Sequence, residues 1–510
     1  MKRINRRDFL KTSVLGVGAC MLSRYAAIAG GKSGPDILFI MPDQMRGDCL
    51  SVLGHPVVRT PNMDGLAKEG ALFRRAYTPV ASCIPARFAL LTGLSPQTSG
   101  VVGYAAKPIT TPTLPGMLAE AGYRTVLIGR NMHQVPASGT CGYQEQILGS
   151  TYVNGDDFDE YFKKSTGRSE GISKVINELG LNCNGWAAKP WALSDELHPT
   201  AWIVSQSRKI IADASLGQPL FLTTSFYAPH PPLFPPKRYY DECLNAALPH
   251  PAHGDWVEWD KLSTKGDKQG HRVLLEGETL RASQAGYFGL INHIDEQITR
   301  LISDFKARSE KAGREWVIVV SSDHGEMLGD HGFFRKCEPF EGSANIPFII
   351  AGSPGLGLKA GLRIMQSVCL EDIMPTLLEF ANVARPSLMD GVSLVPVLRG
   401  ENRVIREWLH FEHAPCYSKE QAFHVLTDGR YKYIWRPLDG AEYLFDLESD
   451  PLEEHDLSKI VERRVTLECW RGRLIKRLAG RQEGFSDGTM LVAGRPYPAL
   501  HNTPQLNSGK

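Results

Sequence analysis

The chain has almost no net charge to work with. Its 510 residues carry 57 lysines and arginines against 56 acidic residues, so no long-range field gathers nucleic acid or an anionic membrane surface. Nucleic acid is not an expected partner, and any anionic ligand must be met by cations concentrated in a pocket. Beyond the N-terminal region no apolar run reaches the roughly 20 residues that cross a bilayer, so no transmembrane segment is expected. The ten cysteines include no Cys-x-x-Cys spacing, which argues against a zinc knuckle. Internal repeats and low-complexity tracts are also missing, which removes solenoids and compositionally biased arrays. What remains is an ordinary balance, 42% apolar and 22% charged. A chain of this length suits one large domain with a smaller companion.

Residues 1–29 read as an address rather than as part of the fold. Asn5-Arg6-Arg7-Asp8-Phe9-Leu10-Lys11 has the form of a twin-arginine export signal, followed by a short apolar stretch over 14–22 and an Ala27-Ile28-Ala29 cleavage site. A rival reading takes Val17-Gly18-Ala19-Cys20 as a lipoprotein box, with a lipid anchor on Cys20. Either way the expected location is periplasmic or at the surface of a bacterial cell. Most of the cysteines after the leader should be small buried hydrophobes. An oxidising compartment also permits one or two disulfides, whose pairing the sequence leaves open.

Residues 36–41 (DILFIM) form a short continuous apolar run, as expected of a central parallel strand. Residues 219–226 (PLFLTTSF) and 316–321 (WVIVVS) repeat the design, and 124–128 and 347–351 read as further strands. Helical periodicity falls on 62–70, 114–121, 201–214, 282–305 and 371–381. This alternation predicts an α/β catalytic domain over 35–400, a large and mostly parallel sheet with helices on both faces. After about residue 400 the texture changes. Segments 409–412, 422–427, 431–435 and 443–446 are short and separated by Asp-Gly and Pro-rich turns, which predicts a smaller antiparallel sheet subdomain within 401–510. Segments 145–200 and 232–281 lack clean periodicity and are expected to be loops over the site.

The strand ends carry the chemistry. In an α/β sheet, groups just beyond the carboxyl ends of the strands converge on one edge. Asp43-Gln44, His230 and Asp323-His324 all stand in that position. Two carboxylates, an imidazole and an oxygen from residue 83 suit a divalent cation such as calcium or magnesium, and Gln44 could add an amide oxygen. Taken singly, an aspartate after a strand is more often a turn or helix cap. In 82–93 (SCIPARFALLTG), Pro85 suits the first turn of a helix and Thr92-Gly93 its end. Cys83 then sits at a helix N-terminus, where free N–H groups and the dipole favour an anion. Arg87 stands one turn further along.

Cys83-Ile84-Pro85-Ala86-Arg87, closely followed by Leu91-Thr92-Gly93, resembles the formylglycine signature of the type I sulfatase family within the alkaline phosphatase superfamily. Segments 60–67 (TPNMDGLA), 121–125 (AGYRT), 322–326 (SDHGE), 329–332 (GDHG) with Lys336, 372–378 (DIMPTLL), 390–394 (DGVSL) and 444–451 (LFDLESDP) are similar to that family's landmarks, in order. The resemblance implies an alkaline-phosphatase-like fold and conversion of Cys83 to formylglycine by a formylglycine-generating enzyme. It implies that Asp43, Asp323, His324 and residue 83 hold one divalent cation, Ca2+ by preference with Mg2+ or Mn2+ as alternatives. Arg87 would stabilise the formylglycine hydrate, which attacks sulfur. His230 and Lys336 would contact the sulfate and supply a proton to the leaving oxygen. Asp-Gln at 43–44, where Asp-Asp is the other form, is similar to the branch containing choline sulfatases and phosphonate hydrolases and makes Gln44 a doubtful ligand.

One landmark departs. The family pattern is Gly-Lys-x-His, whereas this chain has Gly129-Arg130-Asn131-Met132-His133. Either Arg130 replaces the lysine as a substrate-binding cation, or Asn131 occupies its position. His133 is the candidate for the histidine, the base that lets sulfate depart. The expected activity is hydrolysis of sulfate esters, with a sulfated saccharide as the default substrate. Trp186, Trp191, Trp256 and Trp259 could stack on sugar rings or equally pack inside. The runner-up is a phosphonate monoester or phosphodiester hydrolase using the same nucleophile. A third reading is a catalytically silent glycan-binding relative, motivated by the irregular 130–133 segment.

Overall fold

The run DILFIMPD has no alternation of polar and apolar residues, so neither of its faces suits water. It forms β1 (Asp36–Asp43) at the centre of the main sheet, with every residue buried. The structure, a computed structural model, describes residues 34–262 and 271–501. The export-signal and Cys20 readings lie outside the described residues. The other strands are β2 (Ala71–Phe73), β3 (Ala76–Tyr77), β4 (Arg124–Gly129), β5 (Glu145–Leu148), β6 (Leu220–Pro229), β7 (Trp316–Ser321), β8 (Phe348–Gly352), β9 (Leu362–Ile364), β10 (Val368–Cys369), β11 (Leu409–His413), β12 (Phe423–Thr427), β13 (Tyr431–Trp435) and β14 (Glu442–Asp446).

Eight strands make the main sheet in the order β5-β4-β6-β1-β7-β8-β2-β9. The five from β5 to β7 are all parallel. β8 runs antiparallel to both neighbours, β7 and β2, so the sheet is mixed beyond its parallel centre. Strand residues alternate between two cores. Leu38, Ile40, Val126, Leu222 and Ile318 face the helices Pro61–Glu69, Pro199–Asp213 and Gly277–Lys311. Ile37, Phe39, Leu127, Phe221 and Val317 face Cys83–Thr92, Leu114–Glu120 and Ile373–Phe380. This is the α/β sandwich that the alternation of strands and helices predicts.

The second sheet is antiparallel, in the order β11-β12-β13-β14. One face packs Phe411, Phe423, Val425, Ile434 and Phe445 against Tyr77, Met327 and Phe340 of the main body. The other covers itself with the helix Arg464–Leu478 through Leu467, Trp470, Leu474 and Leu478.

One expectation needs correcting, and one open alternative is decided. Segments 145–200 and 232–281 are not plain loops. They hold the edge strand β5 and the helices Asp157–Thr166, Ile172–Glu178 and Lys237–Leu244. These helices have 7 to 10 residues, too few turns for a clear period, and their stability comes from buried anchors such as Phe158, Phe162 and Val175. The four tryptophans take the packing alternative. Trp186 and Trp191 are core residues. Trp256 stacks on Phe340 at 4.6 Å while its Nε1–H bonds Glu453 O, and Trp259 stacks on His253 at 3.7 Å.

Candidate active site

Four adjacent parallel strands end at one edge, and each hands on a polar group. Arg130 follows β4, His230 follows β6, Asp43 ends β1, and Asp323-His324 follow β7. Cys83 arrives from the side as the first residue of the helix Cys83–Thr92. Ser82 precedes it in extended conformation, and Gly93 closes the helix at φ 64° with its N–H on Ala89 O. Ser82 Oγ is 2.7 Å from His413 Nε2 of β11, so the second sheet braces the start of this helix.

Asp43, Cys83, Asp323 and His324 are all fully buried and present one donor atom each within 4.8 Å of the others. Cys83 Sγ lies 3.1 Å from His324 Nε2 and 3.9 Å from Asp43 Oδ1. His324 Nε2 lies 3.8 Å from Asp323 Oδ1 and 4.0 Å from Asp43 Oδ1. Oxygen ligands at right angles around calcium stand roughly 3.3–3.7 Å apart, given bonds of about 2.3–2.6 Å. The residues fit a cation of that kind, with Sγ standing where an oxygen of a modified residue 83 would be. His324 Nδ1 is 2.9 Å from Gly325 O, a hydrogen bond that places the proton on Nδ1 and leaves the Nε2 lone pair facing the cage. The Gln44 amide turns elsewhere. Its Oε1 accepts from Lys336 Nζ at 2.9 Å and its Nε2 donates to Glu326.

Arg87 serves the carboxylates directly. Nη2 donates to Asp43 Oδ2 at 2.7 Å, Nε to Asp323 Oδ2 at 2.9 Å, and Nη1 to Asn131 O at 3.0 Å. The guanidinium is wholly buried, an arrangement that holds only because both charges it meets are opposite.

Two cations, Lys336 and Arg130, and three imidazoles, His324, His230 and His133, gather around residue 83. Lys336 Nζ is 3.0 Å from Cys83 Sγ and 2.9 Å from His230 Nε2. Burial opposes its charge, but Cys83 and Asp43 outweigh burial and raise its pKa. His230 Nδ1 donates to Pro231 O at 2.6 Å, so Nε2 accepts from Lys336. Burial, then Lys336 and Arg130, push His230 well below the usual histidine range. His133 is pushed the same way by burial, Arg130 and Arg87. Burial alone would raise the Cys83 thiol, yet the Lys336 ammonium 3.0 Å away outweighs burial and brings it below the usual thiol range. The pocket is built to hold negative charge on residue 83.

Arg130 settles which side chain follows Gly129 into the site. Gly129 has φ 96°, and a Cβ there would lie 2.1 Å from Ser225 O, so only glycine makes the turn. Arg130 then points inward. Its Nε pairs with Asp43 Oδ2 at 2.6 Å, Nη2 lies 3.3 Å from His133 Nε2 and 3.6 Å from Cys83 Sγ, and the guanidinium sits 4.5 Å over Tyr227. Nη1 is buried and has no hydrogen-bond partner among the described residues, a donor open to an anion. Asn131 instead turns its Oδ1 to the His133 N–H at 3.2 Å.

Sequence reasoning missed the supports. Glu326 accepts from Gln44 and from the Leu328 N–H at 2.8 Å. Tyr287 donates its hydroxyl to Gln44 O at 2.7 Å, and Ser322 Oγ accepts the Met45 N–H at 2.9 Å. Their partners at Gln44 and Met45 lie more than 240 positions away in sequence, so no local signal marks them.

The Sulfatase family model matches residues 35–383, and the model for the C-terminal part of N-sulphoglucosamine sulphohydrolase matches residues 329–478. An arylsulfatase of Clostridium perfringens is 36% identical, over 91% of this chain and 99% of that protein. A choline-sulfatase of Rhizobium meliloti is 30% identical, over 83% of this chain and 82% of that protein. Among solved structures, a phosphonate monoester hydrolase of Agrobacterium radiobacter has the same fold, with a TM-score of 0.70, 23% identity, and coverage of 87% of this chain and 95% of its own. The family model spans well over half of the chain and the full-length relatives agree with it: this protein belongs to the sulfatase family, hydrolases of sulfate esters.

Proposed function

We propose that the protein hydrolyses sulfate monoesters of a saccharide through a formylglycine made from Cys83, with one divalent cation held by Asp43, Asp323, His324 and residue 83. The observation that carries this reading is the position of Cys83 Sγ. It lies at a helix start within 3.6 Å of an imidazole, an ammonium and a guanidinium. A hydrated formylglycine supplies a hydroxyl nucleophile there, and a divalent cation, Ca2+ on the size of the cage, supplies Lewis acidity.

The chain's own residues do the rest. Arg87 keeps both carboxylates aimed and charged. Arg130 offers Nη1 and Nη2, and Lys336 offers Nζ, to a sulfate group placed over residue 83. Preorganised donors of this kind cost no reorganisation when charge develops. The proton for the departing alcohol oxygen sits on Lys336 Nζ, because His230 is neutral and its Nε2 only accepts. His133 Nε2, neutral and one guanidinium nitrogen away from residue 83, is the base that takes a proton so that sulfate can leave.

Tyr104 and Tyr152 support a ring-bearing alcohol. Both are substantially exposed, 46% and 41%. Tyr104 feels the charges of Cys83, Lys336 and Arg130, and Tyr152 lies 5.8 Å from the Arg130 guanidinium. They are the aromatic faces available to a sugar at the mouth of the site. The N-terminal motif supports export to the periplasm or cell surface, with signal cleavage or a lipid on Cys20 as the two routes, and maturation by a formylglycine-generating enzyme.

Protein from a host with that enzyme, mapped by mass spectrometry across Cys83 and assayed on nitrophenyl sulfate, tests the reading. Formylglycine at 83 with sulfatase turnover is the expected result. An unmodified thiol with no turnover would sink it. Faster turnover of a nitrophenyl phosphonate than of the sulfate would favour the phosphonate hydrolase instead.

A further inference from the structure

Glu326 is a buried carboxylate that stands behind the site rather than in it. Its Oε1 accepts the Leu328 N–H at 2.8 Å and the Arg335 N–H, and its Oε2 accepts from Gln44 Nε2. Gln44 in turn presents Oε1 to Lys336 Nζ at 2.9 Å. The backbone of Gln44 is clamped in place, with φ 66°, a left-handed conformation costly for glutamine. Its N–H donates to Asp323 Oδ1 at 3.1 Å, and the Tyr287 hydroxyl donates to its O at 2.7 Å.

This relay depends on the orientation of one amide. An ammonium has three donors and no acceptor. Those of Lys336 go to Gln44 Oε1, to residue 83 at 3.0 Å and to His230 Nε2 at 2.9 Å. A flipped Gln44 would turn its NH2 to the ammonium and its oxygen to the Glu326 carboxylate, donor to donor and acceptor to acceptor. Two backbone N–H groups hold that carboxylate, so it cannot turn away from the amide.

We propose that Glu326 is a positioning residue for ester cleavage. By fixing the Gln44 amide it keeps Oε1 on Lys336 Nζ and holds the ammonium between residue 83 and His230, within reach of the leaving oxygen. This role rests on Lys336 as the proposed proton source. Glu326 also tethers the backbone beside Lys336 through the Arg335 N–H, and Glu326→Gln separates the two functions. The two backbone donors retain the amide oxygen of the variant, which leaves its NH2 facing Gln44 and forces that amide to flip. The backbone stays tethered while Lys336 loses an acceptor.

The test is kcat/KM of the full-length enzyme, with formylglycine and metal content matched between variants, on two esters. Nitrophenyl sulfate has a leaving group that departs with little help, whereas that of phenyl sulfate needs the proton. E326Q should lose roughly 10–100-fold on phenyl sulfate, the span of one charge-assisted hydrogen bond, and at least about threefold less than that on nitrophenyl sulfate. Gln44→Ala cuts the same link from the other end and should show the same dependence on the leaving group. Added to Gln44→Ala, E326Q should cost nothing further. Equal losses on the two esters, or an undiminished extra loss in the double variant, would overturn the proposal, because Glu326 would then act on the fold at large. Should E326Q fail to fold, equal losses in Gln44→Ala would overturn it as well. Lys336→Ala keeps two failures apart. If it alone depends on the leaving group, Lys336 remains the proton source and only the role of Glu326 falls. If it too loses equally on both esters, the reading of Lys336 falls and the proposal with it.

Discussion

Replacing Arg130 is the most informative perturbation, because the local sequence pattern leaves the cation's place open between Arg130 and Asn131. Arg130→Ala removes two donors aimed at the space over residue 83, one of them without a hydrogen-bond partner among the described residues. It also removes the pair with Asp43, but Asp43 Oδ2 keeps Arg87 Nη2 at 2.7 Å, so the cage retains a counter-charge and the fold should survive. Losing one preorganised donor from a water-excluded site costs about 2.7–4 kcal/mol, roughly 10²–10³ in kcat. Arg130→Lys restores a charge without the planar fork or its stack on Tyr227 and should cost about tenfold. Asn131→Ala should cost less than about tenfold, since its side chain caps the His133 N–H while its backbone O, which accepts from Arg87, is kept. The assay is kcat and KM on nitrophenyl sulfate, with formylglycine and metal occupancy matched between variants. If Arg130→Ala stays within about threefold of wild type at equal occupancy, or if Asn131→Ala is the worse of the two, the assignment of the anion-binding cation is wrong.

Chelation by EDTA should abolish turnover and lower the Tm, with both restored by Ca2+. A cation at 100 times its Kd contributes about 2.7 kcal/mol of stability, and an unchanged Tm after verified metal loss would remove the cation from the cage. Gln44→Ala deprives Lys336 of an acceptor at 2.9 Å and should lower kcat roughly tenfold, the worth of one charge-assisted hydrogen bond; full activity would leave Lys336 positioned by His230 alone. Acid should destabilise the fold early. Burial pushes His198 and His424 down to about 3 and His413 to about 4, whereas the unfolded chain titrates near 6.5. Above that pH these groups are neutral in both states. Below it the unfolded chain takes up protons that the fold refuses, so stability falls from about pH 6.5 towards 4. Thermal melts should plateau above pH 7 and decline below 6, and a flat profile down to pH 5 would contradict the neutral burial of these imidazoles.

The parts legible in the sequence are those whose physics is local. β1 and β7 announce themselves as apolar runs ending in polar residues, and β6 does so in spite of Thr223, Thr224 and Ser225, because a strand buried on both faces has little polar side to offer. The Cys83–Thr92 helix is legible through local signals too, Pro85 in its first turn and Gly93 at its end. The helix Arg464–Leu478 left a readable trace too, apolar at 467, 470, 474 and 478, but five basic residues crowd that trace and its apolar stripe is narrow. The 130–133 segment is a different case. No regular period governs a loop, and which side chain enters the site depends on a close approach between Gly129 and Ser225 O, 96 positions apart. The same holds for Arg87, whose charged partners prove to be Asp43 and Asp323, 44 and 236 positions away. A motif therefore marks which residues meet, while the distances among them decide what each one does. At residue 83 the helix start alone would hold any small anion. Lys336, Arg130 and the carboxylate cage, delivered by strands from across the chain, narrow that to a group which must carry negative charge and be attacked at the same point.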